Sequence, residues 1–255
     1  MNTHATKFTK VIMAAAMALS LGACSTANNA SADASEVYDP LEGYNRAMFA
    51  FNDAVDTVFL EPVAMGYRFI APKPVRLGVR NFLRNLKSPM QVVNQTLQGD
   101  LSGAGADVAR FAVNSTAGVL GLIDVGAMIG LPYEQEDFGQ TLGVWGMGHG
   151  PYVVLPIMGP SSMRDATGLL VDSYADPLRL YLYNTHQEEW HYARLGLTAI
   201  STREELMDML DDLQKNSFDY YAALRSTYIQ RRDALVNDQD PELAASPSIP
   251  DFDDQ

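Results

Sequence analysis

Apolar residues recur along this chain at the three- and four-residue steps of amphipathic helices, interrupted by a stretch dense in glycine. In Leu41–Leu60, the residues Tyr44, Met48, Phe51, Val55 and Phe59 form one stripe opposite Asn45, Asn52 and Asp56, which predicts a helix closed by Pro62. After the turn Pro72-Lys73-Pro74, a second helix is expected. Val75, Val79, Phe82, Leu83 and Leu86 line one of its faces and Arg76, Arg80, Arg84 and Lys87 another. Pro89–Leu97 and Ala106–Thr116 read as short helices separated by Gly99, Gly103 and Gly105, neither able to stand without packing. Gly118–Leu131 is apolar except for Asp124 and suits either a buried core segment, the commoner outcome, or one lying at a membrane interface.

From Phe138 to Gly168 the periodicity breaks. Glycines at 139, 143, 146, 148, 150, 159 and 168 and prolines at 151, 156 and 160 stand among Leu142, Trp145, Tyr152, Val153, Val154 and Leu155. Regular helix is not expected there, and the stretch is too apolar for a solvated linker. It reads as a hairpin-like insertion facing something apolar. Helices resume at Asp176-Pro177, continue over His186–Leu197, restart at Ser201-Thr202 with Glu204-Glu205 as a capping box, and end with Ser217–Leu235. The aromatic stripe Phe218, Tyr221 and Tyr228 of that last helix belongs to a core.

The two ends differ in composition from this helical body. Lys7 and Lys10 precede the apolar run Val11–Leu21, the charged and apolar regions of a secretory signal too short to span a bilayer. It ends in Leu21-Gly22-Ala23-Cys24, which resembles a bacterial lipobox and marks Cys24, the sole cysteine, for N-terminal diacylglycerol and acyl attachment. Four segments follow: a signal peptide at 1–23, a flexible tether at 24–36, a helical domain at 37–232, and an acidic disordered tail at 233–255. Loss of the signal lysines takes the formal charge from −13 to −15, which argues against nucleic acid as a partner. With one cysteine, no intramolecular disulfide is possible. Against this acidity the stripe Arg76, Arg80, Arg84 and Lys87 stands out. It fits contact with anionic headgroups or an acidic partner, or equally a solvated face paired with nearby carboxylates.

Catalytic signals are weak. His186 and His191 lie five apart, the wrong spacing for two metal ligands on one helix face, and no metal site is expected. Gly159-Pro160-Ser161-Ser162 lacks the spacing of a nucleophile elbow. Gly146, Gly148 and Gly150 lack the Lys-Ser/Thr of a phosphate loop. The chain is therefore read as a non-enzyme that needs no cofactor beyond the lipid on Cys24.

Ordered blocks along the body carry a resemblance. Asp39-Pro40-Leu41-Glu42-Gly43-Tyr44-Asn45-Arg46, Asn94 with Leu97-Gln98-Gly99-Asp100, Arg110-Phe111 before Asn114-Ser115-Thr116, Gly121-Leu122-Ile123-Asp124-Val125, Phe138-Gly139-Gln140-Thr141-Leu142-Gly143, Gly150-Pro151-Tyr152 and Arg164-Asp165 resemble the MlaA (VacJ) family of outer-membrane lipoproteins. The resemblance covers about residues 39–232. It implies an all-α, ring-shaped arrangement of amphipathic helices, with the glycine-rich hairpin-like loop around an amphipathic channel, in the inner leaflet of the outer membrane. It also implies an activity. Phospholipids misplaced in the outer leaflet would pass through the channel to the periplasmic lipid carrier MlaC, with trimeric outer-membrane porins as partners.

A lipid crossing a leaflet must keep its phosphate wet and its tails in apolar surroundings, so the path needs one polar wall and one apolar wall. Met48, Phe51, Trp145, Tyr152, Leu155 and Pro156 are the channel or gate candidates. Arg76, Arg80, Arg84 and Lys87 are the headgroup or partner contacts. A structural lipoprotein that grips porins without moving lipid is the alternative.

Overall fold

The protein's structure, a computed structural model, describes residues 38–239. Cys24, the signal segment, the tether and the tail beyond residue 239 lie outside the described residues. Ten α-helices and one hairpin make up the described part: α1 (Glu42–Val55), α2 (Glu61–Ile70), α3 (Lys73–Gln98), α4 (Leu101–Thr116), α5 (Val125–Met128), α6 (Phe138–Val144), β1 (Tyr152–Leu155), β2 (Gly159–Ser162), α7 (Met163–Ala175), α8 (Pro177–Asn184), α9 (Glu188–Asn216) and α10 (Tyr220–Val236). The expected all-α class holds, with that hairpin its one described sheet.

Several expected breaks are absent. Pro62 does not close the first helix, because a π-helical turn over Asp56–Leu60 joins α1 to α2. Proline lacks an N–H and crowds the carbonyl four residues back, and a widened turn ahead of it relieves both demands. Pro89 likewise lies inside the single long helix α3. Gly103 and Gly105 lie inside α4, which starts early because the Asp100 carboxylate caps the N–H groups of Ser102 and Gly103 at 3.1 and 2.9 Å. Ser201 opens no new helix but is buried within α9. At the other end α10 runs to Val236, past the expected start of the tail at residue 233. Ala234 is buried there, and Val236 lies over Gly143.

The glycine-rich middle is more regular than expected. Its first and last glycines belong to α6 and α7, which cross closely: a Cβ on Gly168 would lie 2.3 Å from the Gly139 nitrogen. No larger residue fits without separating the two helices. Between these helices the expected hairpin is present. It is antiparallel, with Tyr152 opposite Ser162 and Leu155 opposite Gly159. Its strands do not face outward, however. Tyr152 and Val154 are buried at 1% and 0% exposure against Tyr221, Met48, Phe49, Tyr228 and Ile229. That cluster is an ordinary apolar core, with Tyr152 edge-on to Tyr221 and Tyr228.

Candidate functional site

Helix α1 turns the expected orientation over. Its asparagine face points inward and much of its apolar stripe points out: Asn45 is fully buried, while Tyr44, Phe51 and Phe59 are exposed. Asn45 spans the first hairpin strand, donating from Nδ2 to the Tyr152 carbonyl at 3.0 Å and accepting from the Val154 N–H at 2.8 Å. One helical repeat on, Asn52 does the same at the hairpin's end, donating to the Leu155 carbonyl at 2.9 Å and accepting from the Ile157 N–H at 2.7 Å. Two side-chain amides thus complete the unpaired edge of β1, which would otherwise leave backbone groups unsatisfied. The seven-residue spacing of Asn45 and Asn52 was visible in the sequence as the polar face of α1. Only the direction of that face was missed.

The same inversion runs through α3 and α4. Of six buried residues on α3, only Leu83 is apolar; the others are Asn85, Ser88, Gln91, Asn94 and Gln95. Asn94 donates to Asp172 at 3.1 Å and accepts from Thr141 at 3.3 Å, Gln91 donates to the Glu134 carbonyl at 2.7 Å, and Asn85 donates to Ser115 at 2.9 Å. Among the described residues, nineteen buried side chains are polar or charged against twelve that are hydrophobic. Burial of apolar surface therefore cannot be what mainly orders this half.

Apolar side chains stand outside instead. Gly118–Leu131 is not core: Val119, Leu120, Leu122, Ile123, Met128 and Ile129 are all exposed, while Asp124 is tied to Arg110 at 3.0 Å and to Asn114 at 3.0 Å. Phe69 and Ile70 at the end of α2 are 91% and 80% exposed, and Ile157 and Met158 project from the hairpin tip. Ile157 has φ 67°, a left-handed conformation that a β-branched residue rarely adopts, held in place by the Asn52 bond to its N–H. Exposed apolar residues in such number are what a membrane or partner contact requires. No described helix is long and apolar enough to cross a membrane.

Of the expected gate residues, Met48 and Tyr152 meet in the core beneath the hairpin, while Phe51 and Trp145 lie apart from that core cluster. Tyr152 is core, Met48 packs on that core, and Phe51 points outward. Trp145 is half exposed, donates to the Leu97 carbonyl at 3.0 Å and stacks edge-on to Phe138. Leu155 and Pro156 lead into the exposed hairpin tip. The basic stripe divides in two. Arg76 pairs with Glu204, while Arg80 and Arg84 share one oxygen of Glu205 at 2.9 and 3.0 Å, so these three face α9 rather than open solvent.

Lys87 makes no ion pair with a described residue. It is solvent-accessible, yet protein surrounds it closely enough that burial pulls its ammonium pKa below the ordinary lysine value. Arg194 and Arg84 push the same way, and Asp137 and Asp172 oppose them. Lys87 is thus an exposed cation with charges from α3, α7, α9 and the segment before α6 around it. Nearby, the buried Arg232 ties Asp137 at 2.7 Å to Asp165 at 2.9 Å, which holds both carboxyls below the usual range against the effect of burial. This pins α6, α7 and α10 together. Among the described residues no group of His, Cys, Asp or Glu is placed to hold a metal.

Comparison with known proteins adds to this geometry. A family model described as MlaA lipoprotein matches residues 37–235. The chain is 37% identical over 203 residues, 78% of each chain, to a protein of Escherichia coli K12 named intermembrane phospholipid transport system lipoprotein MlaA. It is 33% identical over 237 residues to the protein of the same name from Haemophilus influenzae, covering 90% of this chain and 92% of that one. A solved structure described as the structural basis for maintenance of bacterial outer membrane lipid asymmetry superposes with a TM-score of 0.67 at 39% identity, over 79% of this chain and all of that one.

Proposed function

The chain belongs to the MlaA lipoprotein family, and from that membership we propose that it moves phospholipid within the bacterial outer membrane. It is anchored through acyl groups on Cys24 in the inner leaflet. Phospholipid misplaced in the outer leaflet is taken up and passed to a soluble periplasmic carrier of the MlaC type. Trimeric porins are the neighbours that hold it in place. No step makes or breaks a covalent bond, and the direction of flow follows the carrier's affinity for lipid.

The observation that carries this reading is the outward-facing apolar surface of α2 and Gly118–Leu131 in the same body as a polar interior, with the exposed cation Lys87 among the charges of Arg84, Arg194, Asp137 and Asp172. A zwitterionic or anionic headgroup crossing a leaflet needs such an environment for its phosphate, because a bare phosphate in hydrocarbon is prohibitive. Lys87 and Arg194 are the cations that meet it. The acyl tails trail along the apolar exterior near the hairpin tip, whose strained Ile157 and exposed Met158 make the tip the element that opens or closes the path.

Purified full-length protein should carry co-purifying phospholipid and should transfer fluorescent phospholipid from proteoliposomes to a carrier. Lys87→Glu should lower that transfer about 25-fold while leaving the fold intact, since the reversal removes one cation and adds one anion at about 1 kcal/mol each. Transfer unchanged in Lys87→Glu would mean that Lys87 does not border the path. No co-purifying lipid and no transfer by the wild type would leave a scaffold.

A further inference from the structure

A polar cavity of about 360 Å³ lies between the end of α2, the first turns of α3 and the middle of α9. Its cationic walls are Arg68, Lys73, Arg76 and Arg80. Lys87, about two helical turns beyond Arg80, is not among them. Three carboxylates, Glu204, Glu205 and Asp208, share the cavity, but they do not saturate it. Glu204 Oε1 serves both Arg68, at 2.9 Å, and Arg76, and Glu205 Oε1 serves both Arg80 and Arg84. The Nε atoms of Arg76 and Arg80 are buried with no acceptor, and Lys73 makes no ion pair with a described residue. Donors and positive charge are both in excess, in a chain whose formal charge is −13. Phe69 and Ile70, which follow the lining residue Arg68 at the end of α2, are among the most exposed apolar side chains of the described part, with Val75 half exposed on the next helix.

An acceptor-rich anion would balance the surplus positive charge of Lys73 and the arginines, and an apolar extension of the same ligand would lie along the phenyl and sec-butyl side chains of Phe69 and Ile70. We propose that this cavity binds the phosphodiester headgroup of an anionic phospholipid, held at the protein's flank with its acyl chains along Phe69 and Ile70. It is a site distinct from the surroundings of Lys87, for a resident lipid rather than a transported one. The assignment rests on the membrane reading above. Arginine suits this role because its planar fork donates to a carboxylate on one edge and a phosphate on the other. The pairs with Glu204 and Glu205 orient the guanidinium groups, and the uncommitted edges and Lys73 receive the ligand.

The test uses full-length protein in nanodiscs of phosphatidylcholine with a minor share of phosphatidylglycerol, followed by gentle delipidation and mass spectrometry of the retained lipids. Wild-type protein should retain phosphatidylglycerol enriched over the nanodisc composition. Lys73→Gln with Arg80→Gln, which leaves the Glu204 pairs intact and Glu205 bound to Arg84, should reduce that enrichment about 25-fold, roughly fivefold per cation. The charge-matched control Lys215→Gln with Arg231→Gln should keep most of it, and thermal melts should match for all three. Equal enrichment in the cleft and control variants would overturn the site. Retention of lipid with no anionic enrichment in the wild type would overturn it too while sparing the transport reading, whereas no retained lipid at all would sink both. Inorganic phosphate titrated by calorimetry should show no saturable binding. Saturable phosphate binding lost in the cleft variant would overturn the lipid assignment in favour of free phosphate.

Discussion

Around Tyr152, aromatic and aliphatic side chains fill the interior as in a water-soluble domain: Val154, Tyr221, Phe49 and Ile229 close on one another. Along α3 and α4 the interior is filled by Asn85, Gln91, Asn94, Gln95, Asp107 and Arg110, and the apolar side chains of α2 and of Gly118–Leu131 stand outside. The first region is held by burial from water and can order itself in water. The second gains little from that source, so its shape rests mainly on hydrogen bonds inside. The contrast makes α10 and the hairpin the frame, and the α2–α4 region the part whose apolar side chains are left facing outward.

The largest expected effect comes from removing the cation that locks the frame. Arg232→Met would leave Asp137 without its cation and the buried Asp165 with Arg164 alone, and breaking a buried pair from one side costs up to about 3–5 kcal/mol. Urea unfolding in detergent followed by circular dichroism should show this loss. A change under about 1 kcal/mol would mean that the apolar cluster alone suffices.

Asn45→Leu sharpens the comparison where the two regions meet. It removes the bonds to the Tyr152 carbonyl and the Val154 N–H, and each buried group left unsatisfied costs about 1–3 kcal/mol. Hydrogen exchange should show β1 losing protection before α3 does. Equal protection loss in both would contradict the division.

Asp107 tests the polar interior by pH. It is buried with one carboxylate oxygen unpartnered, and burial raises its pKa to about 6 against the pull of Arg110. Between its unfolded value and about 6 the folded state holds the extra proton, so the contribution of this group to stability is present at low pH and is lost as pH rises through that window. Asp107→Asn should flatten that slope and stabilise the protein at neutral pH by up to about 3 kcal/mol. A slope unchanged by the substitution would assign it to another carboxyl, with Glu136, raised to about 7 by burial, the next to replace.

The smallest effect is expected at the hairpin tip. Ile157→Gly should relieve the left-handed strain and stabilise the protein in detergent by about 1 kcal/mol. Stabilisation with unchanged lipid transfer would show that the strain serves no gate.

How far the sequence revealed this follows from the same contrast. The amphipathic period of α1, the hairpin between glycines and the packing of Tyr221 and Tyr228 on α10 were legible, because local periodicity and turn residues specify them whatever the solvent. Phe218, expected in the same aromatic stripe, instead precedes the helix and is fully exposed. Helix ends were misjudged at Pro62, Gly103 and Ser201, where a π turn, the Asp100 cap and tertiary packing overrode local signals. Which face of α1 or α3 points inward was not legible at all. A hydrophobic stripe marks a boundary between two environments, and nothing in its spacing says which is protein and which is lipid. The division of the basic stripe into Arg76, Arg80 and Arg84 against Lys87 depended on where α9 lies, a contact more than a hundred residues away in sequence for Arg76–Glu204.

The central claim is that the outward apolar side chains meet lipid. Its most direct test is quenching of an environment-sensitive fluorophore at single introduced cysteines, read in proteoliposomes with doxyl-labelled phospholipid. Ile70→Cys, Leu120→Cys and Ile129→Cys should be strongly quenched and Lys215→Cys on the charged end of α9 hardly at all. Equal, weak quenching at all four positions would contradict the account and make the apolar exterior a contact with protein.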